Sequence, residues 1–276
     1  MWQKYIKLLG VNIMNNINKT LYIPLYSKSF VSKKGIILSD KKAEEIWECE
    51  GFSLKRKSRS KWLAYFLAMR AAVFDQWLNT EMRKDDKLLI LHVGCGMDSR
   101  VLRIGTSGHL WYDIDFENVI NLRKKYYSEN EYYKMLVGDI RKLDWLSKIP
   151  DSKNIAIILE GVSMYLKTAE LQAFLCAVNN RFQAISILMD CYTKKGAVAT
   201  NLKNPINDVG VNITYGIDEP RVLEQDTGFC FIKEHDMTPS NMINELKGFE
   251  RTIFKILFAG SFSKSIYRMY EFKKKR

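Results

Sequence analysis

The stretch Leu88-Leu89-Ile90-Leu91-His92-Val93-Gly94-Cys95-Gly96-Met97-Asp98 decides the fold. Its apolar run has the length of a buried strand and is too short to span a bilayer. Two glycines follow at once, and a helix is expected beyond them, so the chain reads strand, tight turn, helix: the opening of a parallel β-α unit. Downstream the same grammar repeats. Short apolar runs separated by helical stretches predict strands at 109–114, 133–137, 154–159 and 185–190, besides the first at 88–93. Each ends in a small or acidic residue: Gly94, Asp115, Gly138-Asp139, Glu160-Gly161 and Asp190. Their spacing is about one strand plus one crossover helix, which describes a doubly wound α/β sheet whose ligand lies over the carboxyl ends of the strands.

Working outward, residues 1–84 read as a helical accessory segment. Ser39-Asp40 offers an N-cap ahead of Lys41-Lys42-Ala43-Glu44, and Trp62, Leu63, Phe66, Leu67, Arg70, Ala71, Phe74, Trp77 and Leu78 recur at helical spacing. Residues 85–276 form the core. Within it the segment near 192–227 loses the β-α rhythm and is expected to cap the site. A strand from Phe229 to Glu234, a helix near Thr238-Pro239-Ser240 and a last strand near Tyr267 to Phe272 complete a mostly parallel seven-stranded sheet, the final hairpin antiparallel. One elaborated domain is expected.

Composition excludes several classes. The 276 residues are 47% hydrophobic, carry 43 Lys+Arg against 31 Asp+Glu for a formal charge of +12, and describe an ordinary globular protein. Five cysteines (Cys49, Cys95, Cys176, Cys191, Cys230) are scattered, odd in number and never in a C-x-x-C pair, which points to a reducing compartment, the cytoplasm, and away from disulfides or structural zinc. His92, His109 and His235 lack metal-ligand spacing, and no metal is expected. The first twenty residues, interrupted by Lys4 and Lys7, make a poor signal peptide, and no membrane association is expected. The positive charge gathers between Lys28 and Lys61, including Lys55-Arg56-Lys57, and at Lys273 to Arg276. We read these runs as solvated faces, since the chain has no RNP motif and no basic stripe with stacking aromatics.

The glycines of Gly94-Cys95-Gly96 let a ligand approach the backbone, and the following helix presents unpaired N–H groups. Alone, such a turn is a weak signal. Asp115, at the end of the next strand, stands where a carboxylate accepts the ribose hydroxyls of an adenosine ligand. Asp139 could accept from an adenine amino group, with Ile140 or Trp145 against the ring. Each acid could instead cap a helix. Glu160, ending the central strand, could pair an amino-acid ammonium or act as a general base; with no His beside it, and with Lys28 and Arg70 available for anionic groups, the ammonium reading is preferred.

These residues also carry a resemblance. Gly94-Cys95-Gly96-Met97-Asp98-Ser99-Arg100, Tyr112-Asp113-Ile114-Asp115-Phe116, Gly138-Asp139-Ile140-Arg141 and Glu160-Gly161-Val162-Ser163-Met164-Tyr165-Leu166 resemble the leucine carboxyl methyltransferase family, nearest its bacterial branch of O-methyltransferases associated with polyketide biosynthesis. The resemblance runs from about Thr20 almost to the C-terminus. It departs at Ser99, where many relatives carry Thr, and at Glu117, where they carry Pro. The family implies a class I, Rossmann-like fold with S-adenosylmethionine as cofactor and methyl transfer to oxygen. Carried over by position, it places the methionine carboxylate on Arg70 and Lys28, the glycine-turn contact on Gly94 and Gly96, the ribose on Asp115, the adenine on Asp139 and Ile140, and the ammonium on Glu160.

The reaction expected is in-line attack of a substrate oxygen on the sulfonium methyl, with Arg70 and Tyr165 orienting an anionic acceptor. A carboxylate acceptor needs no base at neutral pH; a hydroxyl would, from Tyr165 or His235. Tyr165 could equally be core packing. The expected partner is a small molecule or peptide, in specialised metabolism. Modification of RNA, methylation of a protein C-terminus, and cofactor binding without catalysis are the alternatives.

Overall fold

The computed structural model describes residues 21–51, 54, 58–202 and 214–275, so Lys55-Arg56-Lys57 and part of the capping segment lie outside the described residues. Three helices come first: α1 (Tyr22–Lys34), α2 (Lys41–Glu50) and α3 (Lys61–Met82). The core then runs β1 (Leu89–Val93), α4 (Arg100–Ile104), β2 (Leu110–Asp115), α5 (Glu117–Arg123), β3 (Tyr133–Val137), β4 (Asn154–Leu159), α6 (Thr168–Arg181), β5 (Ala184–Tyr192) and α7 (Lys194–Leu202). It closes with β6 (Phe229–His235), α8 (Ser240–Asn244), α9 (Gly248–Phe258), α10 (Ser261–Lys264) and β7 (Tyr267–Lys274).

The strands form one sheet in the order β3-β2-β1-β4-β5-β7-β6. β1 to β5 are mutually parallel, and β7 runs antiparallel between β5 and β6, as the sequence led us to expect. Both faces are covered, which is why the strands read as continuous apolar runs. Along β1 the side chains alternate: Ile90 packs with Trp111 and the α3 residues Phe74 and Leu78, while Leu89, Leu91 and Val93 pack with Ile114, Trp145 and the α6 residue Phe174. Between β1 and β4 the strand order reverses, and the crevice at that switch point is where ligands of such sheets bind.

Two details differ from the sequence reading. Asp190 lies inside β5 and not at its end, because pairing with β7 carries that strand on to Tyr192. Where one helix was expected between the last two strands there are three, and α9 is tied to α3 by Glu250, which accepts from Lys61 Nζ and Tyr65 Oη at 2.7 Å each.

The accessory helices are held to the core by charge as well as by packing. Asp40 caps α2, accepting from Ala43 N at 2.9 Å, and its other oxygen takes Arg103 Nη1 of α4 at 2.6 Å, with Asp40 only 3% exposed. Asp40→Ala should therefore cost more than a cap. We expect a loss of about 3 kcal/mol or more in chemical denaturation, because Arg103 is left short of a buried partner. Asp40→Asn, which keeps the cap and loses the charge, should fall between this variant and wild type.

Candidate active site

At the carboxyl ends of β1 and β4 the sheet opens into a cavity of about 320 Å³, walled by α1 and α3 and roofed by α9 and α10. The two strand-end turns meet closely. Gly94 adopts φ +69°, and a Cβ there would lie 2.3 Å from Val162 Cγ2, so only glycine fits. Gly96, at φ +53°, faces Leu21 of the N-terminal segment, 3.0 Å from where its Cβ would stand.

The charged end of the cavity is one buried ion cluster. Glu160 accepts from Arg70 Nη2 at 2.8 Å through one oxygen and from Arg100 Nη2 through the other. Arg70 Nη1 donates to Asp190 at 2.9 Å and to Tyr267 Oη at 2.7 Å, and the Tyr267 hydroxyl in turn donates to Asp190. Arg100 reaches Asp75 at 2.7 Å and Asp98 at 3.3 Å; Lys28 Nζ stands 3.5 Å from Asp98. Arg100 Nη1 also lies 3.2 Å from His92 Nε2. Because arginine only donates, Nε2 must accept, so the proton sits on Nδ1 and is given to Asp113 at 3.1 Å.

These contacts set the protonation states. Burial opposes ionisation of Glu160, yet Arg100, Arg70 and Lys28 outweigh it and hold the carboxyl down at about 2. Asp98 is likewise held well below the usual range, burial being overcome by Lys28, Arg100 and Arg103. Burial raises Asp190 in spite of Arg70 and the Tyr267 hydroxyl, and raises Asp115 in spite of two backbone amides. A carboxyl held near 2 is a poor proton acceptor, so the geometry disfavours Glu160 as a general base.

Of the residues singled out in the sequence, Lys28, Arg70, Gly94, Gly96, Glu160 and Tyr165 line this cavity together. Asp115, Asp139 and Ile140 do not. Asp115 lies behind the glycine turn, accepting from Gly96 N and Phe116 N at 2.7 Å each. Asp139 closes back on Arg141, two residues on, at 3.0 and 2.9 Å, and Ile140, 8% exposed, packs in the cluster that holds Trp145. Sequence reasoning missed Asp75, Asp190 and Tyr267 as members of the cluster. Asp98 and Arg100 were inside a quoted motif but given no role.

A zwitterionic amino-acid group fits the charged end. Arg70 Nε is buried with no partner, a donor left for an anion, while Lys28 Nζ makes a long ion pair with Asp98, at 3.5 Å. Asp98 and Glu160 supply anionic oxygens for a cation. The described residues include no group of His, Cys, Asp or Glu that could hold a metal ion.

Comparison with known proteins gives the family and the fold. The family model for leucine carboxyl methyltransferases matches residues 15–179, more than half of the chain. The chain is 23% identical over 87% of its length, and 90% of the relative's, to the tetracenomycin polyketide synthesis O-methyltransferase TcmP of Streptomyces glaucescens. It is 27% identical over 78% of its length, and 80% of the relative's, to the S-adenosyl-L-methionine-dependent methyltransferase dpfgK of Gibberella zeae. Among solved structures, magnesium protoporphyrin IX methyltransferase from Synechocystis, crystallised with bound SAH, superposes with a TM-score of 0.51 at 14% identity, covering 90% of this chain and 99% of that one, a likeness of fold. Fold and family match together define a class I methyltransferase that takes its methyl group from S-adenosylmethionine. The chain belongs to the leucine carboxyl methyltransferase family and is an S-adenosylmethionine-dependent O-methyltransferase.

Glu160→Gln tests the electrostatics of the site. The folded-state pKa of Glu160 is depressed, so its contribution is present above about pH 4.5 and is lost as pH falls toward 2. At pH 7 the variant should be less stable by roughly 3 kcal/mol. The gap between variant and wild type should shrink in denaturation series taken below pH 4, and a gap independent of pH would contradict the ion-pair account.

Proposed function

We propose that the enzyme methylates a carboxylate of a small molecule or peptide in specialised metabolism, acting in the cytoplasm. One observation carries the choice of acceptor: the cavity is divided by polarity. All four lining residues with fixed charge, Lys28, Arg70, Asp98 and Glu160, belong to the ion cluster, while most of the remainder is apolar and aromatic, with Leu63, Phe66, Leu257, Phe258 and Ile266 among it and Thr200 and Ser263 the uncharged aliphatic hydroxyls. His92, which also lines the cavity, has Nδ1 engaged with Asp113 and Nε2 with Arg100, so it offers no free nitrogen for proton abstraction. An acceptor that is already anionic suits such a site. The cytoplasmic setting is supported by five cysteines that all carry free thiols, Cys95 and Cys191 buried.

In this reading the donor supplies a sulfonium methyl, already activated for displacement. Glu160 and Asp98 would hold the donor's ammonium, and Arg70 Nε and Lys28 Nζ its carboxylate. Gly94 and Gly96 allow the donor to lie against the turn. Asp115 supports that turn through Gly96 N, and its remaining lone pairs would accept the ribose hydroxyls; Asp139 and Ile140, which do not line the cavity, would take the adenine. Tyr165, half-buried on the wall, would orient the acceptor oxygen, and Arg70 would act on it only through the donor it holds. The apolar half excludes water from the acceptor, so the nucleophile reacts poorly hydrated and in line.

The product is then a methyl ester and no base titrates. The rate at saturating donor should be flat from about pH 6 to 9, since a free carboxylate is ionised throughout that range. A metabolite extract incubated with labelled donor should yield label released as methanol by alkali. Alkali-stable label, or a rate that climbs with pH, would replace the carboxylate with a hydroxyl acceptor and leave the enzyme class untouched.

A further inference from the structure

Asp113 belongs to a quoted motif yet has no part in the site as described. It is fully buried on β2, and it organises the rear of the glycine turn. Asp113 receives His92 Nδ1 at 3.1 Å, Trp111 Nε1 at 2.9 Å, Tyr133 Oη at 2.7 Å and the guanidinium of Arg123. Arg123, also fully buried, then reaches forward: its Nη1 donates to both Gly96 O and Asp98 O at 2.8 Å. The carbonyl between them, Met97 O, is taken by Tyr127 Oη at 3.1 Å, and the Tyr127 ring lies 4.2 Å from the Arg123 guanidinium. Three consecutive carbonyls of the turn are thus held from the α5 side, facing away from the cavity.

We propose that Arg123, braced by Asp113, is a positioning residue for methyl-donor binding: it holds the turn by its carbonyls so that Asp98 faces Lys28 and no carbonyl dipole faces the donor carboxylate. The physical ground is the sign of the charges. A carbonyl oxygen turned toward Lys28 and Arg70 would compete with the donor's carboxylate for the same cations and would move the Asp98 side chain with it. Lysine cannot replace the clamp, because two carbonyls and a carboxylate are reached by one planar fork. His92 joins the clamp to the ion cluster, being bonded to Asp113 on one side and Arg100 on the other.

The inference rests on the assignment of this turn to the donor, and binding of S-adenosylhomocysteine to wild type, measured by calorimetry, is the control for that assignment. With wild type binding, Arg123→Lys should raise the Kd for S-adenosylhomocysteine and the KM for donor about tenfold, with kcat at saturating donor within about threefold. Tyr127→Phe, which removes one bond and keeps the ring, should raise the same Kd about threefold with little change in Tm. A merely structural role would lower Tm in both variants and leave donor affinity alone. A Kd within twofold of wild type in both variants overturns the proposal; if Arg123→Lys does not fold, an unchanged Kd in Tyr127→Phe overturns it by itself.

Discussion

The contact on which the rest depends is the grip of Arg70 and Arg100 on the two oxygens of Glu160. Arg70 comes from the accessory helix α3, Arg100 from the helix after the glycine turn, and Glu160 from the end of β4. One carboxylate therefore joins the N-terminal segment, the turn and the sheet. Desolvating so many charges gives little net stability by comparison with a packed apolar core, and breaking the set by removing one member is expensive. Such a cluster makes physical sense where the charges are needed, as in the proposed binding of the donor's amino-acid zwitterion.

From that cluster the cavity acquires its polarity. The charged side chains stand at one end because α1 delivers Lys28, α3 Arg70, the glycine turn Asp98 and the end of β4 Glu160, and the remaining wall is closed by apolar residues of α3, α9 and α10. Ion pairs set against apolar walls leave room for a charged donor and a poorly hydrated acceptor side by side. That arrangement is a requirement of in-line transfer, in which the protein mainly holds geometry and excludes water.

The β-α grammar was legible because its signals are local. The apolar run of β1, the glycines after it and the acids at strand ends are read within a few residues, and Asp40 as the cap of α2 was read the same way. The ion cluster was only half legible. Glu160 stands next to its motif, but Asp75 lies mid-helix among apolar neighbours and Tyr267 begins the last strand, so their meeting with Arg100 and Arg70 depends on pairings across the whole fold. The α9–α10 pair was missed for a different reason. Its apolar residues, among them Leu257 and Phe258, complete the cavity roof, and their pattern has no strand to frame it. At Asp139 the strand-end position was legible, while the ion pair that Arg141, two residues on, makes with it was not.

The central claim is that the Arg70–Glu160–Arg100 cluster with Lys28 and Asp98 binds the amino-acid end of the donor. It is tested most directly by calorimetry with two ligands that share the adenosine thioether and differ in that end, S-adenosylhomocysteine and 5′-methylthioadenosine. The account predicts that the truncated ligand binds about a hundredfold more weakly, or worse. Equal affinity for the two would contradict it.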